Sequence, residues 1–478
     1  MVQPDQETAM PLALKSLLPF ALLGTAGVVG VVAGTAPGTT TPTPASTPTI
    51  VTTADGPVRI EAAFEHGVLP AGTPGETFLR VALTGVEQPR QTQRVPVGLT
   101  IVVDRSGSMG SERKMETAND AACRAIEALQ AGDRFAVLSF DDGAEVIARG
   151  EVAPGSVRSA CDAVATLTAR GSTDMIAGLV EGGKAALGMV EPGRVSRLLL
   201  LSDGRPNGES GLREHAAMLA RQGVVTTTIG LGTNYNEDLM ASIADAGVGN
   251  SWFVESRPGH AGGTTLAKIF ATELSSMSEV VARNATLQLA PRPGLELVDA
   301  IGFPGERTKS GGLVIPVGDL YSGHTTALLV RVRHAALDGA ARDVVDVGLT
   351  GTVASAGTTF STGLAVNVAF STDHAAIDAS RVATVVEEVE ELRTTEALLQ
   401  ANEAWNRGDQ AGGDAILDAQ KAKVQASAGA LGSAKLQALF SDVDTYQQQN
   451  LAVGTAGRAT MNKVAKEKAR DYVRSAKK

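Results

Sequence analysis

The sequence predicts an α/β protein: a doubly wound, mostly parallel sheet, inserted in or flanked by a β-sandwich, with a helical C-terminal region. Three observations lead there. Leu99-Thr-Ile-Val-Val-Asp104 and Leu198-Leu-Leu-Leu-Ser202 are apolar runs without in–out alternation, the mark of strands buried on both faces. Between residues 98 and 280 such strands alternate with segments of helical period, which implies crossover connections. Beyond Val280 strands follow one another through turns, and beyond Ala375 helices take over.

The chain has 478 residues and 43% hydrophobic content, enough for two or three domains with ordinary cores. A net charge of −10 argues against nucleic acid as a partner. An N-terminal segment (1–15) precedes an almost uninterrupted apolar stretch, residues 16–34, with Lys15 before it and no charge after it until Asp55. That stretch suits either a membrane anchor with a cytoplasmic N-terminus or a signal peptide cleaved near Val31-Val-Ala33. A Pro/Thr-rich linker (35–54) follows, so the protein is expected to be exported to a periplasmic or extracellular face, or anchored there.

Residues 55–97 carry short alternating bursts, Val58-Arg-Ile-Glu-Ala and Glu76-Thr-Phe-Leu-Arg-Val-Ala-Leu, which read as sandwich strands. Their partners are expected in 281–372, where Ala285-Thr-Leu-Gln-Leu-Ala, Gly312-Leu-Val-Ile-Pro-Val, Thr325-Thr-Ala-Leu-Leu-Val-Arg-Val and Asp343-Val-Val-Asp-Val-Gly-Leu-Thr have strand texture. One shared sandwich with the α/β domain (98–280) inserted in it is the preferred arrangement; two separate small sheets is the alternative.

Inside 98–280, Met115, Ala118, Ala122, Ala125, Ile126 and Leu129 recur at helical spacing and stop near Gly132. Strands at 134–140, 144–147, 197–202, 224–230 and 252–254 then share the sequence with helices at 157–168, 175–187, 212–222, 238–246 and 266–277. In the final region, 373–478, Val382, Val385, Val386, Val389 and Leu392 form a stripe. Helical segments on either side of Arg407-Gly408-Asp409 loosely resemble one tetratricopeptide hairpin, which is not an array. The basic stretch from Asn462 to Lys478 reads as a solvated helix face.

Chemistry concentrates at two strand ends. The first strand stops in Asp104-Arg-Ser106-Gly-Ser108, one carboxylate and two hydroxyls where open α/β sheets take their ligands. Hard oxygen donors held together suit Mg²⁺ or Mn²⁺. Gly171-Ser172-Thr173-Asp174 lies before a helix, and the second buried strand ends in Ser202-Asp203-Gly204. Together these segments resemble the metal-ion-dependent adhesion site of von Willebrand factor A domains. The resemblance implies that Ser106, Ser108 and Thr173 coordinate the cation directly, while Asp104 and Asp203 hold it through water. Three neutral hydroxyls leave much of its charge uncompensated, so an exposed Asp or Glu of a protein partner would complete the shell. Arg205 is expected on the rim, facing that acidic partner.

Leu239-Met-Ala-Ser-Ile-Ala-Asp-Ala-Gly247, Trp252-Phe253 and Val281-Ala-Arg-Asn284-Ala-Thr-Leu-Gln-Leu289 are similar to bacterial exported proteins related to the calcium-activated chloride channel family. That likeness runs from Ile60 to Asp373. It does not imply conduction, because one apolar span cannot line a pore alone.

Enzyme signals are thin. Gly178-Leu-Val-Glu-Gly-Gly183-Lys184-Ala185 mimics a phosphate-binding loop, but it has Ala where Ser or Thr should stand and falls inside a helix. Ser111-Glu-Arg-Lys114 lacks the companion motifs of a Ser-x-x-Lys enzyme and reads as a helix start. The six histidines form no His-Glu-x-x-His. The expectation is a non-enzymatic, metal-dependent protein-binding module, the alternative an assembly scaffold that docks partners without metal-mediated contact. Cys123 and Cys161 fall on or beside apolar stripes and read as buried thiols, with pairing the alternative in an exported protein.

Overall fold

The computed structural model describes residues 50–53, 56–86, 95–203, 206–232, 236–254, 262–277, 279–452 and Ala465. The apolar stretch 16–34, the two residues after Asp203 and the basic C-terminal stretch apart from Ala465 lie outside the described residues.

The described residues open with β1 (Val51–Thr52), β2 (Val58–Phe64), β3 (Val68–Pro70) and β4 (Gly75–Gly85). The α/β domain then runs β5 (Val97–Asp104), a 3-10 turn (Gly107–Gly110), α1 (Lys114–Glu127), β6 (Arg134–Phe140), β7 (Ala144–Glu151), α2 (Pro154–Ala165), α3 (Met175–Leu187) and β8 (Val195–Ser202). It continues through α4 (Leu212–Arg221), β9 (Val224–Leu231), α5 (Glu237–Ala246), β10 (Val248–Val254) and α6 (Gly262–Met277). Its six strands order as β10-β9-β8-β5-β6-β7. All neighbours are parallel except the edge pair β6–β7.

The double winding follows from side-chain alternation on the central strands. Leu99, Ile101 and Val103 face α1 and α6, meeting Ala122, Ile126, Leu266 and Phe270. Val102, Leu198 and Leu200 face the other way, onto Leu179, Leu219 and Ile243 of α3, α4 and α5. Both strand faces are covered, which is why neither run alternates with polar residues. The glycines of the false phosphate loop are contact residues on α3. A Cβ at Gly178 would lie 2.6 Å from the Phe140 ring and one at Gly182 2.4 Å from Val102 Cγ2. They let the helix approach the sheet closely.

Beyond the α/β domain come β11 (Val280–Pro291), β12 (Leu295–Ala300), β13 (Glu306–Arg307), β14 (Leu313–Tyr321), β15 (Thr325–His334), β16 (Arg342–Val353) and β17 (Thr359–Ser371). One sheet orders as β1-β2-β4-β15-β12 and the other as β13-β14-β11-β16-β17-β3. Their inner faces share one core, in which Ile60, Leu79, Val81 and Val330 meet Leu287, Val347 and Val366. β12 and β17 were absent from the expected strands, and β10 starts at Val248, earlier than the expected residue 252.

Four named helices follow among the described residues: α7 (His374–Ala379), α8 (Ala383–Asn406), α9 (Gln410–Leu431) and α10 (Ala434–Ala452). The stripe Val382, Val385, Val389 and Leu392 packs on Ala63, Phe78 and Leu329, on the outer face of the β2-β4-β15 sheet. Ion pairs Arg80–Glu388 at 2.9 Å and Arg331–Glu396 at 2.7 Å flank that contact. Among the described residues no helix is long and apolar enough to cross a membrane.

Candidate metal centre

Five predicted residues come from three loops at the C-terminal edge of the parallel sheet. β5 delivers Asp104 fully buried, at 0% exposure. The chain then turns because Asp104 Oδ1 accepts the backbone N–H of Ser106 at 2.8 Å, an Asx-type turn. Met109 plugs into the core beneath the 3-10 turn, leaving Ser108 exposed at the rim. β8 delivers Asp203, 1% exposed. Ser108 Oγ donates to Asp203 Oδ1 at 2.7 Å, and the hydroxyls of Ser106 and Ser108 lie 3.1 Å apart. Asp104, Ser106, Ser108 and Asp203 are therefore linked in one hydrogen-bonded chain.

Thr173 arrives on a third loop held against the first two by its backbone. Gly107 N–H donates to Gly171 O at 3.1 Å, and Asn207 N–H to Thr173 O at 3.0 Å. Thr173 is itself buried. Asp174 does separate work as the N-cap of α3, accepting from the Ala177 N–H. An ion-pair network braces the loops from outside: Asp141 Oδ2 takes Arg105 Nε at 2.9 Å and Arg170 Nε at 2.7 Å. Arg205 lies outside the described residues.

Two participants were not anticipated. Lys114, the first residue of α1 and only 7% exposed, puts Nζ 2.8 Å from Asp203 Oδ2. Ser202 donates its hydroxyl to Asp104 Oδ2 at 2.5 Å. Lys114 was legible only as a helix start; its nearness to a loop of acidic and hydroxyl residues was the available signal. It reaches the site because Glu112 and Arg113 both adopt left-handed backbone, φ 56°. Two such non-glycine residues in succession are uncommon and tend to mark functional loops.

Burial pushes the Asp104 carboxyl up from its ordinary 3.8 to about 6, and Asp203 adds to the rise, against hydrogen bonds from Ser202 and Ser106. With Asp104 and Asp203 ionised and Lys114 protonated, the described groups carry one net negative charge. The donors are hard oxygens, part of the rim is open, and the charge is of the right sign. The residues present fit Mg²⁺ or Mn²⁺.

The cysteines depart from the expectation of buried thiols. They are half-buried and joined: Cys123 on α1 and Cys161 on α2 form a disulfide with Cα atoms 5.0 Å apart.

Residues 99–259 match the family model described as the von Willebrand factor type A domain, and this part of the chain is a domain of that family. The structure resembles a von Willebrand factor type A protein from Catenulispora acidiphila, with TM-score 0.60 at 20% identity, covering 77% of this chain and 87% of that one. It also resembles the ArnB paralog VWA2 from Sulfolobus acidocaldarius, with TM-score 0.53 at 16% identity, covering 86% of this chain and 98% of that one. These likenesses concern fold. By sequence, an uncharacterized protein of Synechocystis, sll0103, is 29% identical over 277 residues, 55% of this chain and 63% of that protein. The uncharacterized Escherichia coli protein YfbK is 27% identical over 223 residues, 45% of this chain and 37% of that protein. The chain thus aligns with less than two thirds of either relative's length.

Proposed function

We propose that this protein is a non-enzymatic binding protein whose A-type domain holds Mg²⁺ or Mn²⁺ in an intact metal-ion-dependent adhesion site and uses it to grip an acidic group on a protein partner. Asp104, Ser106, Ser108, Thr173 and Asp203 hold the ion. The observation that carries the reading is the continuous hydrogen-bonded set from Asp104 to Asp203, with Ser108 at the open rim. The bound ion supplies a Lewis-acidic position for an outside oxygen. A divalent ion would turn the local charge from one negative to one positive, and a partner carboxylate restores neutrality. That balance favours an Asp or Glu over a neutral group.

The protein acts in an exported or membrane-anchored setting. The apolar stretch before the Pro/Thr-rich linker supports this, and so does the Cys123–Cys161 disulfide, since such bonds persist in oxidising compartments. The relation to exported calcium-activated chloride channel-like proteins belongs to the same reading. A second reading, an assembly scaffold that docks partners without a metal-mediated contact, is favoured by Lys114, which already neutralises Asp203.

The test is Mn²⁺ binding followed by electron paramagnetic resonance, beside capture of partners in Mg²⁺ or EDTA, for wild type and Asp104→Ala. Loss of Mn²⁺ binding and of capture in the variant, with wild-type capture lost in EDTA, supports the metal-dependent reading. Capture indifferent to both EDTA and the substitution supports the scaffold.

A further inference from the structure

The loop that carries Thr173 is tied to the segment following β8 by Asn207. Asn207 donates its backbone N–H to Thr173 O at 3.0 Å and its side-chain Nδ2 to Ser172 Oγ at 3.0 Å. Ser172 in turn donates its hydroxyl to Asp142 Oδ1 at 2.5 Å, and its backbone N–H to the same oxygen at 3.0 Å. A serine hydroxyl has one hydrogen to give. With that hydrogen spent on Asp142, Ser172 meets residue 207 only as an acceptor. The latch therefore needs a donor at position 207, which an amide supplies and a carboxylate does not.

Asn207-Gly208 is the one Asn-Gly pair in the sequence. Both residues are exposed and lie in neither a helix nor a strand. The Gly208 N–H makes no hydrogen bond with another described residue. Glycine has no Cβ to screen its nitrogen, and a surface loop leaves the torsions free to bring that nitrogen onto the preceding side chain. By contrast, Asn250, Asn284 and Asn367 stand in strands, and Asn119 and Asn402 in helices, where the backbone is held.

We infer that Asn207 is a site of spontaneous deamidation and that its conversion unlatches the Thr173 loop. The effect on a bound ion rests on the metal-dependent reading; the modification and the loosening do not. The Gly208 backbone nitrogen gives its proton to solvent hydroxide and attacks Asn207 Cγ. The new N–C bond closes a cyclic imide, while the side-chain nitrogen takes up a proton and leaves as ammonia. Water then opens the ring. Breaking the new bond yields aspartate; breaking the original backbone bond yields isoaspartate, whose main chain is longer by one methylene. Nothing is oxidised or reduced. Either product carries a free carboxylate in place of the donor. That carboxylate and Asp142 then converge on one hydroxyl that can satisfy only one of them.

The experiment ages the full chain in mildly alkaline buffer with EDTA, beside a urea-unfolded sample and the variants Gly208→Ala and Asn207→Asp. Gly208→Ala keeps Asn207 and finds room, since no described atom lies within 4 Å of a Cβ there. In folded wild type, the peptide containing residue 207 is expected to gain one mass unit and to become a substrate for isoaspartyl methyltransferase. Gly208→Ala should convert at least ten times more slowly. Amide exchange over residues 171–174 should rise several-fold in aged wild type and in fresh Asn207→Asp, and should stay at its fresh value in aged Gly208→Ala. Asn207 that survives in the folded chain while the unfolded sample converts overturns the site. Conversion without faster exchange, or Asn207→Asp exchanging like wild type, overturns the latch. Every reading is taken without metal, so the result stands or falls apart from the metal-dependent function.

Discussion

Replacing Asp104 by Asn should make the metal-free protein more stable while abolishing its response to metal. Asp104 is wholly buried, and its carboxyl is raised from 3.8 to about 6. The folded state therefore holds the proton more tightly than the unfolded chain does. The stability this contributes is fully present below about pH 4 and is lost as pH rises through about 6. At pH 7.5 the ionised group costs the metal-free fold about 3 kcal/mol, taking about 1.4 kcal/mol for each tenfold change in proton affinity. Asn keeps the size and can still accept the Ser106 N–H, but disturbs the Ser202 contact, so a gain of about 1–2 kcal/mol is expected. Urea unfolding in EDTA, followed by tryptophan fluorescence, measures it. The variant should exceed wild type at pH 7.5 and lose that advantage by pH 4.5. Added Mg²⁺ should raise wild type by about 2.7 kcal/mol at a hundredfold excess over its dissociation constant and leave the variant unmoved. A variant no more stable than wild type at pH 7.5, or an advantage that persists at pH 4.5, would refute the claim that an uncompensated buried carboxylate defines this site.

Three other substitutions or treatments probe neighbouring parts. Lys114→Met strands Asp203 as a buried charge, so the metal-free protein should lose about 3–5 kcal/mol; calorimetric Mg²⁺ affinity should rise, because the ion no longer shares Asp203 with an ammonium. Reducing Cys123–Cys161, which are 38 residues apart, should cost roughly 4 kcal/mol by loop entropy, visible as a lower melting temperature in dithiothreitol. Gly182→Ala forces a methyl into Val102 and should cost about 1–3 kcal/mol, read by urea unfolding without effect on Mg²⁺ affinity per folded molecule.

The α/β class could be read from sequence because burying a strand on both faces removes the alternation of apolar with charged residues, as in Leu99–Val103 and Leu198–Leu201. What escaped has physical causes. β17 exposes much of its length, with Thr359, Ser361 and Gly363 outward, so it lacks a continuous apolar signal. β12 is a short edge strand. Within the candidate site, Asp104, Ser106, Ser108 and Asp203 stand at the ends of two buried strands, which made them visible, and the structure links them by hydrogen bonds. Lys114 was not visible, because its arrival depends on two left-handed residues whose backbone no composition reveals. The disulfide depended on how α1 packs beside α2, a tertiary fact.

The pairing of β4 with β15 has a consequence for biogenesis. Thr84 lies opposite Thr325, 241 positions away in the chain. A ribosome adding about 5–20 residues per second needs roughly 10–50 s to cover that interval. Until then the apolar side chains of β2 and β4 have no mate along that edge, while the A-type domain, whose contacts are more local, has time to mature. The nascent β2–β4 hairpin is therefore the segment most in need of a holding chaperone, and the interval before β15 emerges is when aggregation would begin.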